Sequence, residues 1–85
     1  MRPAADILRT AADLVEGDRN DTHGGEGTME MVAALWSTYT GHDITPSDVG
    51  RMMALMKMAR ARCGKADPDH DLDAAGYLGI AGAMQ

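Results

Sequence analysis

The sequence predicts an all-α protein, a compact bundle of about four helices formed by one domain over residues 1–85. Apolar residues recur at helical spacings of three and four in four separate segments. Glycine and proline mark where those segments begin and end. The chain has 85 residues, 45% of them apolar and 25% charged, which is typical of one folded domain rather than of a disordered chain. The predicted helices are residues 3–16, 28–40, 46–63 and 68–84.

The first predicted helix, residues 3–16, begins at Pro3 and stops before Gly17. Its apolar residues form one stripe, namely Ile7, Leu8, Ala11, Leu14 and Val15. Charged residues occupy the opposite side, namely Asp6, Arg9, Asp13 and Glu16. This pattern is typical of a surface helix that lies on a core.

Residues 17–27 contain four glycines and no apolar residue, which predicts a loop that is long for so small a domain. The second predicted helix, residues 28–40, follows this loop and ends at Gly41. It has a broad apolar arc made of Met31, Val32, Leu35, Trp36 and Tyr39.

The third predicted helix, residues 46–63, has the clearest start signal in the chain. Thr45 is placed to cap it, Pro46 takes the first helical position, and Asp48 can reach back to the cap. Its predicted inward face contains Val49, Met52, Met53, Met56 and Cys63. Arg60 falls in the middle of that face, and an inward guanidinium needs an acceptor because burying it unpaired is costly.

The fourth predicted helix, residues 68–84, offers such acceptors. Asp69 and Asp73 are four residues apart, on the same predicted face as Tyr77. One interpretation is a structural ion pair of Arg60 with Asp69 or Asp73. The glycines of this helix also predict close approach of another backbone.

The alternative interpretation of the same residues is a metal site. Paired carboxylates can hold a divalent cation beside a phosphate group. In that case the metal ligands would be drawn from Asp69, Asp73, Glu26 and Glu30. Lys57 or Arg60 would bind the phosphate. No catalytic residue can be identified from the pattern itself.

The charge balance indicates what kind of partner to expect. The net charge is −5, and the sequence pI is about 4.9. Direct nucleic-acid binding is disfavoured, because it requires a basic surface. An acidic surface formed by Asp13, Glu16, Asp21 and Glu26 would suit a basic surface on another protein.

Three further features concern the environment of the chain. A lone cysteine, Cys63, indicates a reducing compartment, and its predicted place on an apolar stripe indicates an inert core thiol. No apolar run approaches the ~18 residues of a membrane span, so we expect a cytoplasmic protein without membrane contact. Eight methionines and no phenylalanine predict a thin, adaptable core and hence a homodimer or larger assembly.

A series of short blocks resembles a small helical domain of phages and prophages that has no settled function. The blocks are Gly17-Asp18-Arg19-Asn20, Ala34-Leu35-Trp36-Ser37-x-Tyr39, Ile44-Thr45-Pro46-x-Asp48-Val49, Met53-x-x-Met56-Lys57-x-Ala59-Arg60 and Asp69-x-x-x-Asp73-x-Ala75-Gly76-Tyr77. That family is similar, more distantly, to the all-α nucleotide pyrophosphohydrolases of the MazG kind.

The distant similarity implies magnesium bound through two acidic helix motifs, Glu-x-x-Glu and Glu-x-x-Asp. Asp69 and Asp73 would stand for one motif, whereas Glu26 and Glu30 do not form the other. This departure favours a protein that shares the fold of these enzymes but lacks their hydrolase activity.

Two functional hypotheses follow. The first is a phage-derived, non-catalytic accessory protein without a cofactor, such as an anti-CRISPR-type inhibitor, that binds another protein through its acidic surface. The second is a magnesium-dependent, MazG-like nucleotide-binding protein or pyrophosphohydrolase.

Overall fold

The computed structural model describes residues 2–17, 25–64 and 67–85, and most of these residues are helical. The four helices are α1 (Ala4–Glu16), α2 (Gly25–Thr40), α3 (Pro46–Cys63) and α4 (Pro68–Ala83). No strand occurs within the described ranges, so the all-α prediction is confirmed. None of these four helices is both long and apolar enough to cross a membrane.

The start of α3 matches its sequence signal. The hydroxyl of Thr45 accepts a hydrogen bond from the backbone N–H of Asp48 at 3.0 Å, and the Asp48 carboxylate accepts one from the Thr45 N–H at 3.1 Å. This reciprocal capping box satisfies two backbone donors that the first turn leaves without helical partners. Pro46 takes the first position, as predicted.

The bounds of α2 differ from the prediction at one end. The helix begins at Gly25, three residues before the expected start, so residues 25–27 are helical and not part of the predicted loop. Glycine costs helix stability through entropy but does not forbid a first turn. The rest of the predicted loop, residues 18–24, lies outside the described residues. The predicted stop at Gly41 is confirmed, since Gly41 has a φ of 75°.

The centre of the fold is the contact between α3 and α4, which small residues make possible. Ser47, Gly50 and Ala54 of α3 are buried. A Cβ atom on Gly50 would lie 2.9 Å from the Cβ of Ala81 and 3.2 Å from the carbonyl oxygen of Tyr77. The two backbones can therefore approach this closely only because position 50 has no side chain.

A buried hydroxyl stabilises the same interface near the C-terminal end of α4. Ser47 Oγ donates to the carbonyl oxygen of Ala81 at 2.8 Å and accepts from Arg51 Nη1 at 2.6 Å. Arg51 Nη2 also donates to Gln85 Oε1 at 2.8 Å. The Ser47 hydroxyl is thus satisfied despite its burial, and the cation lies near the negative end of the α4 dipole.

The other two helices each pack on one inner helix, α1 on α4 and α2 on α3. Ala54, Ala74 and Tyr77 form a buried cluster to which Met29 and Met53 add partly buried side chains. The described helices thus follow the order α1, α4, α3, α2 across a molecule of 42 × 28 × 20 Å. No other described helix packs on the outer sides of α1 and α2.

Candidate functional site

The one inward-facing ion pair among the described residues joins α3 to α4. Lys57 Nζ lies 3.0 Å from Asp73 Oδ2, and the two side chains are 15% and 17% exposed. Lys57 follows the buried Ala54 by one turn, and Asp73 precedes the buried Tyr77 by one turn. The pair therefore lies at the edge of the buried cluster and links the two inner helices.

The expectation that Arg60 faces inward is corrected by the structure. Arg60 is exposed and makes no ion pair within the described part of the chain, whereas Lys57 meets Asp73. Asp69, the other expected partner, is exposed too. Cys63 is also exposed, so the predicted core thiol is wrong. The physical reason is that the small residues Ser47, Gly50 and Ala54 of α3 pack against α4. Of the predicted inward face, Val49 is buried and Met53 packs on the buried cluster, whereas Met52 is exposed.

The proposed magnesium ligands have different surroundings in the described part of the structure. Asp73 is half-buried and already paired with Lys57, while Asp69 and Glu30 are exposed. The side chain of Glu26 lies outside the described part of the structure. Among the described residues, no group of three or more His, Cys, Asp or Glu side chains could hold a metal ion. The donor set that is described does not fit a magnesium site.

The acidic surface predicted for protein binding has two of its four members on α1. Asp13 and Glu16 are exposed and form no ion pair within the described residues. Asp6, by contrast, is neutralised by Arg9, whose Nη1 lies 3.1 Å from Asp6 Oδ1. Asp21 lies outside the described residues, as does the side chain of Glu26. The uncompensated negative charge of α1 thus lies at its C-terminal end.

A shallow apolar groove of about 320 Å³ lies beside Glu16, between α1 and α4. Its lining is formed by Leu8, Ala11, Ala12, Val15, Glu16, Ala75 and Gly79. Leu8 is 60% exposed, so the groove is open to solvent along one side. Glu16 is the only ionised group among the lining residues. The groove therefore combines apolar walls with one acidic edge.

The capping box at α3 has an electrostatic consequence. The hydrogen bond from the Thr45 backbone N–H is the main reason why the pKa of Asp48 is lowered below 3.8, and the Thr45 hydroxyl adds to it, because both favour the ionised carboxylate. The charge of Arg51 also lowers this pKa, whereas desolvation raises it. The carboxylate belongs to the start of the helix and not to the groove or the inner ion pair. It is a structural group whose protonation weakens the cap.

Sequence reasoning missed the groove and the polar contacts of Ser47. The groove forms where the Leu8 and Val15 stripe of α1, which the sequence did reveal, meets the small residues Ala75 and Gly79. Pairs of small residues four apart are a signal for such a meeting of helices. Nothing in the spacing of Ser47 and Gln85 indicates that Arg51 joins them.

Comparisons with known proteins agree with the predicted phage resemblance. A family model described as a domain of unknown function, DUF6378, matches residues 6–85. The chain is 38% identical over 81 residues to the Gene 55 protein of Mycobacterium phage L5, covering 93% of the chain and 52% of that protein. It is 36% identical over 74 residues to the Gene 55 protein of Mycobacterium phage D29, covering 86% and 49%.

The chain thus spans about half the length of the curated relatives it matches. No solved structure is significantly similar to it. The more distant similarity to MazG-like enzymes stays a prediction.

Proposed function

The chain belongs to the DUF6378 family, and from this premise we propose that it is a non-catalytic phage accessory protein that binds another protein through α1. One observation supports this most strongly: Glu16, whose carboxylate forms no ion pair with any described residue, lines the open apolar groove between α1 and α4, and the exposed Asp13 lies one turn before it on α1. A counter-defence inhibitor of the anti-CRISPR type is one concrete form of such a protein.

The chemistry of the groove defines the partner that would fit it. An apolar side chain could enter between Leu8 and Ala75, where the walls offer no polar group to satisfy. A lysine or arginine next to it in the partner could then reach Glu16 or Asp13. Charges at the edge of an interface mainly raise the association rate and set specificity, so the acids would select basic partners.

The experiment immobilises the chain and compares host proteins retained by the parent and by a variant with Asp13→Lys and Glu16→Lys. A matched control reverses Glu30 and Asp43, two exposed acids outside α1, and changes the net charge by the same amount. We expect the α1 variant to lose the specifically retained protein and the control to keep it.

Binding kinetics on the retained protein complete the test. The α1 variant should associate at least about tenfold more slowly, with a weaker dependence on salt. Equal association rates for the α1 variant and the control would refute the proposed role of α1. Far-UV circular dichroism should show that both variants keep their helices, because all four substituted residues are exposed.

The alternative, a magnesium-dependent nucleotide-binding protein, has one observation in its favour. Lys57 and Asp73, which that hypothesis assigns to phosphate and to metal, lie together at 3.0 Å. Each would have to exchange its present partner for a ligand. A thermal-shift screen with nucleoside triphosphates, with and without magnesium, tests this, because a ligand of the folded state raises the melting temperature. A magnesium-dependent shift lost in Asp73→Asn would favour the alternative.

A further inference from the structure

The hairpin of α2 and α3 exposes large apolar side chains on both helices. On α2, Met31, Leu35 and Tyr39 follow one another at spacings of four and are 61%, 60% and 91% exposed. On α3, Met52 and Leu55 are 39% and 59% exposed. We refer to these five residues as the outer hairpin face. They are independent of the α1 groove on which the proposed function rests.

The exposed residues of the two helices lie on the same side of the hairpin. The short turn at residues 41–45 makes α2 antiparallel to α3. The less exposed residues of α2, namely Val32, Ala33 and Trp36, face inward. In a projection at about 100° per residue from them, Leu35 and Tyr39 point to the side on which Met52 and Leu55 lie. The chain order matches too, since Tyr39 and Met52 are both near the turn. The outer hairpin face is therefore continuous across the two helices.

The fold of this chain leaves the outer hairpin face uncovered. Gly50, which lies against Ala81 of α4, is on the opposite side of α3. Lys57 is directed towards Asp73 and Arg51 towards Gln85. Asp48 lies one turn before Met52, at the end of the outer hairpin face, where its carboxylate accepts a hydrogen bond from the Thr45 N–H. A helix that is apolar on its outer side as well as its inner side is typical of one with a second packing partner.

The apolar area of the outer hairpin face favours a second copy of the chain as that partner. At roughly 100 Å² for a fully exposed Leu or Met side chain and 200 Å² for Tyr, the outer hairpin face offers about 400 Å² of apolar surface. With the usual apolar share of a homodimer interface, this corresponds to about 600 Å² per copy, the lower end of what a specific dimer buries. A two-fold axis allows the same apolar residues of the two copies to meet each other.

We infer that the chain forms a reversible two-fold dimer in which the outer hairpin faces of two copies pack together as a four-helix arrangement. The modest area predicts a dissociation constant in the micromolar range. The charged ends of both molecules, including the acids of α1, stay outside the interface. The dimer therefore presents two α1 grooves, and its formation does not depend on whether those grooves bind a partner.

Sedimentation equilibrium of the chain from about 1 to 200 μM tests this, because the transition of a micromolar dimer falls in that range. The average mass should rise from 9.0 kDa towards twice that value. Leu55→Glu places a carboxylate in the apolar interface and should weaken the dimer at least about 30-fold. Tyr39→Ser removes the most exposed side chain and should weaken it at least about tenfold.

The matched control is Leu78→Glu on α4, the same substitution at a leucine that is 51% exposed, compared with 59% for Leu55. It should leave the dissociation constant unchanged within about threefold. A chain that stays monomeric at all concentrations overturns the inference, even if another protein binds the face. A dimer that Leu78→Glu weakens as much as Leu55→Glu overturns it as well.

Discussion

Replacing Gly50 by alanine tests how closely α3 and α4 are packed. The added Cβ would lie 2.9 Å from the Cβ of Ala81, 3.3 Å from its Cα and 3.2 Å from the Tyr77 carbonyl oxygen. Non-bonded carbon atoms prefer about 3.5–4.0 Å. The neighbouring atoms belong to the backbone or to a methyl group, so no flexible side chain can move away. The helices themselves must separate.

The size of the effect follows from two opposing contributions. Overpacking of this kind costs about 1–3 kcal/mol, and the rigid neighbours of Gly50 place it near the upper end. Alanine in a helix interior gains about 1 kcal/mol over glycine. The net result is a loss of about 2 kcal/mol, or a decrease in melting temperature of roughly 8–16 °C for a domain of this size.

Gly79→Ala on α4 is the matched control. A Cβ at position 79 meets no atom within 4 Å, so only the gain in helix propensity applies. This variant should be more stable than the parent by about 0.5–1 kcal/mol. Urea denaturation followed by circular dichroism measures both variants. A Gly50→Ala protein as stable as Gly79→Ala would refute the close approach of α3 and α4.

Four further predictions concern the ion pair, the exposed Arg60 and the cap. A double-mutant cycle with Lys57→Met and Asp73→Asn should give a coupling of about 1–2 kcal/mol, below that of a fully buried pair because both side chains retain some solvent contact. Arg60→Ala should change stability by less than about 0.5 kcal/mol, and a loss as large as that of Lys57→Met would contradict its exposed position. Thr45→Ala should cost about 1 kcal/mol by removing the cap. The pKa of Asp48 is lowered below 3.8 in the folded state, so its ionised carboxylate stabilises the fold above that pH, and this effect is lost as the pH falls through the folded-state pKa. The free energy of unfolding should therefore fall less steeply at acid pH in Asp48→Asn than in the parent. Identical pH profiles of the two proteins would contradict this.

Local signals in the sequence predict most of the fold. The Thr45 cap, Pro46 and Gly41 act within one or two turns, so their effects can be inferred without knowing what packs where. The bounds of α3 were predicted on this basis and agree with the structure. The start of α2 differs from the prediction because Gly25 and Gly27 are typical of loops, and local propensity does not favour a helix there.

The orientation of α3 could not be predicted from hydrophobicity. Its methionines indicated an inward face containing Met52 and Arg60, yet the face against α4 contains Ser47, Gly50 and Ala54. Close approach of two helices requires small side chains, whereas a hydrophobic scale ranks methionine above them. That rotation placed Lys57, rather than Arg60, beside Asp73. The predicted ion pair is therefore partly right, because one of its two possible acids, Asp73, forms a pair, and its predicted base, Arg60, does not.

The same rotation explains the outer hairpin face. Met52 was expected in the core and is 39% exposed, because the inner surface of α3 is already occupied by α4. An apolar residue that is excluded from the core by a smaller neighbour is available for a second contact. Sequence periodicity alone does not distinguish a core stripe from such an outward stripe.

Magnesium-dependent release of pyrophosphate from nucleoside triphosphates is the measurement that most directly tests a non-catalytic role. The parent protein and Asp73→Asn would be assayed with each triphosphate, with and without magnesium. If the chain acts by binding a protein through α1, neither should release pyrophosphate above the rate without enzyme. Pyrophosphate release by the parent that requires magnesium and disappears in a folded Asp73→Asn protein would contradict that role.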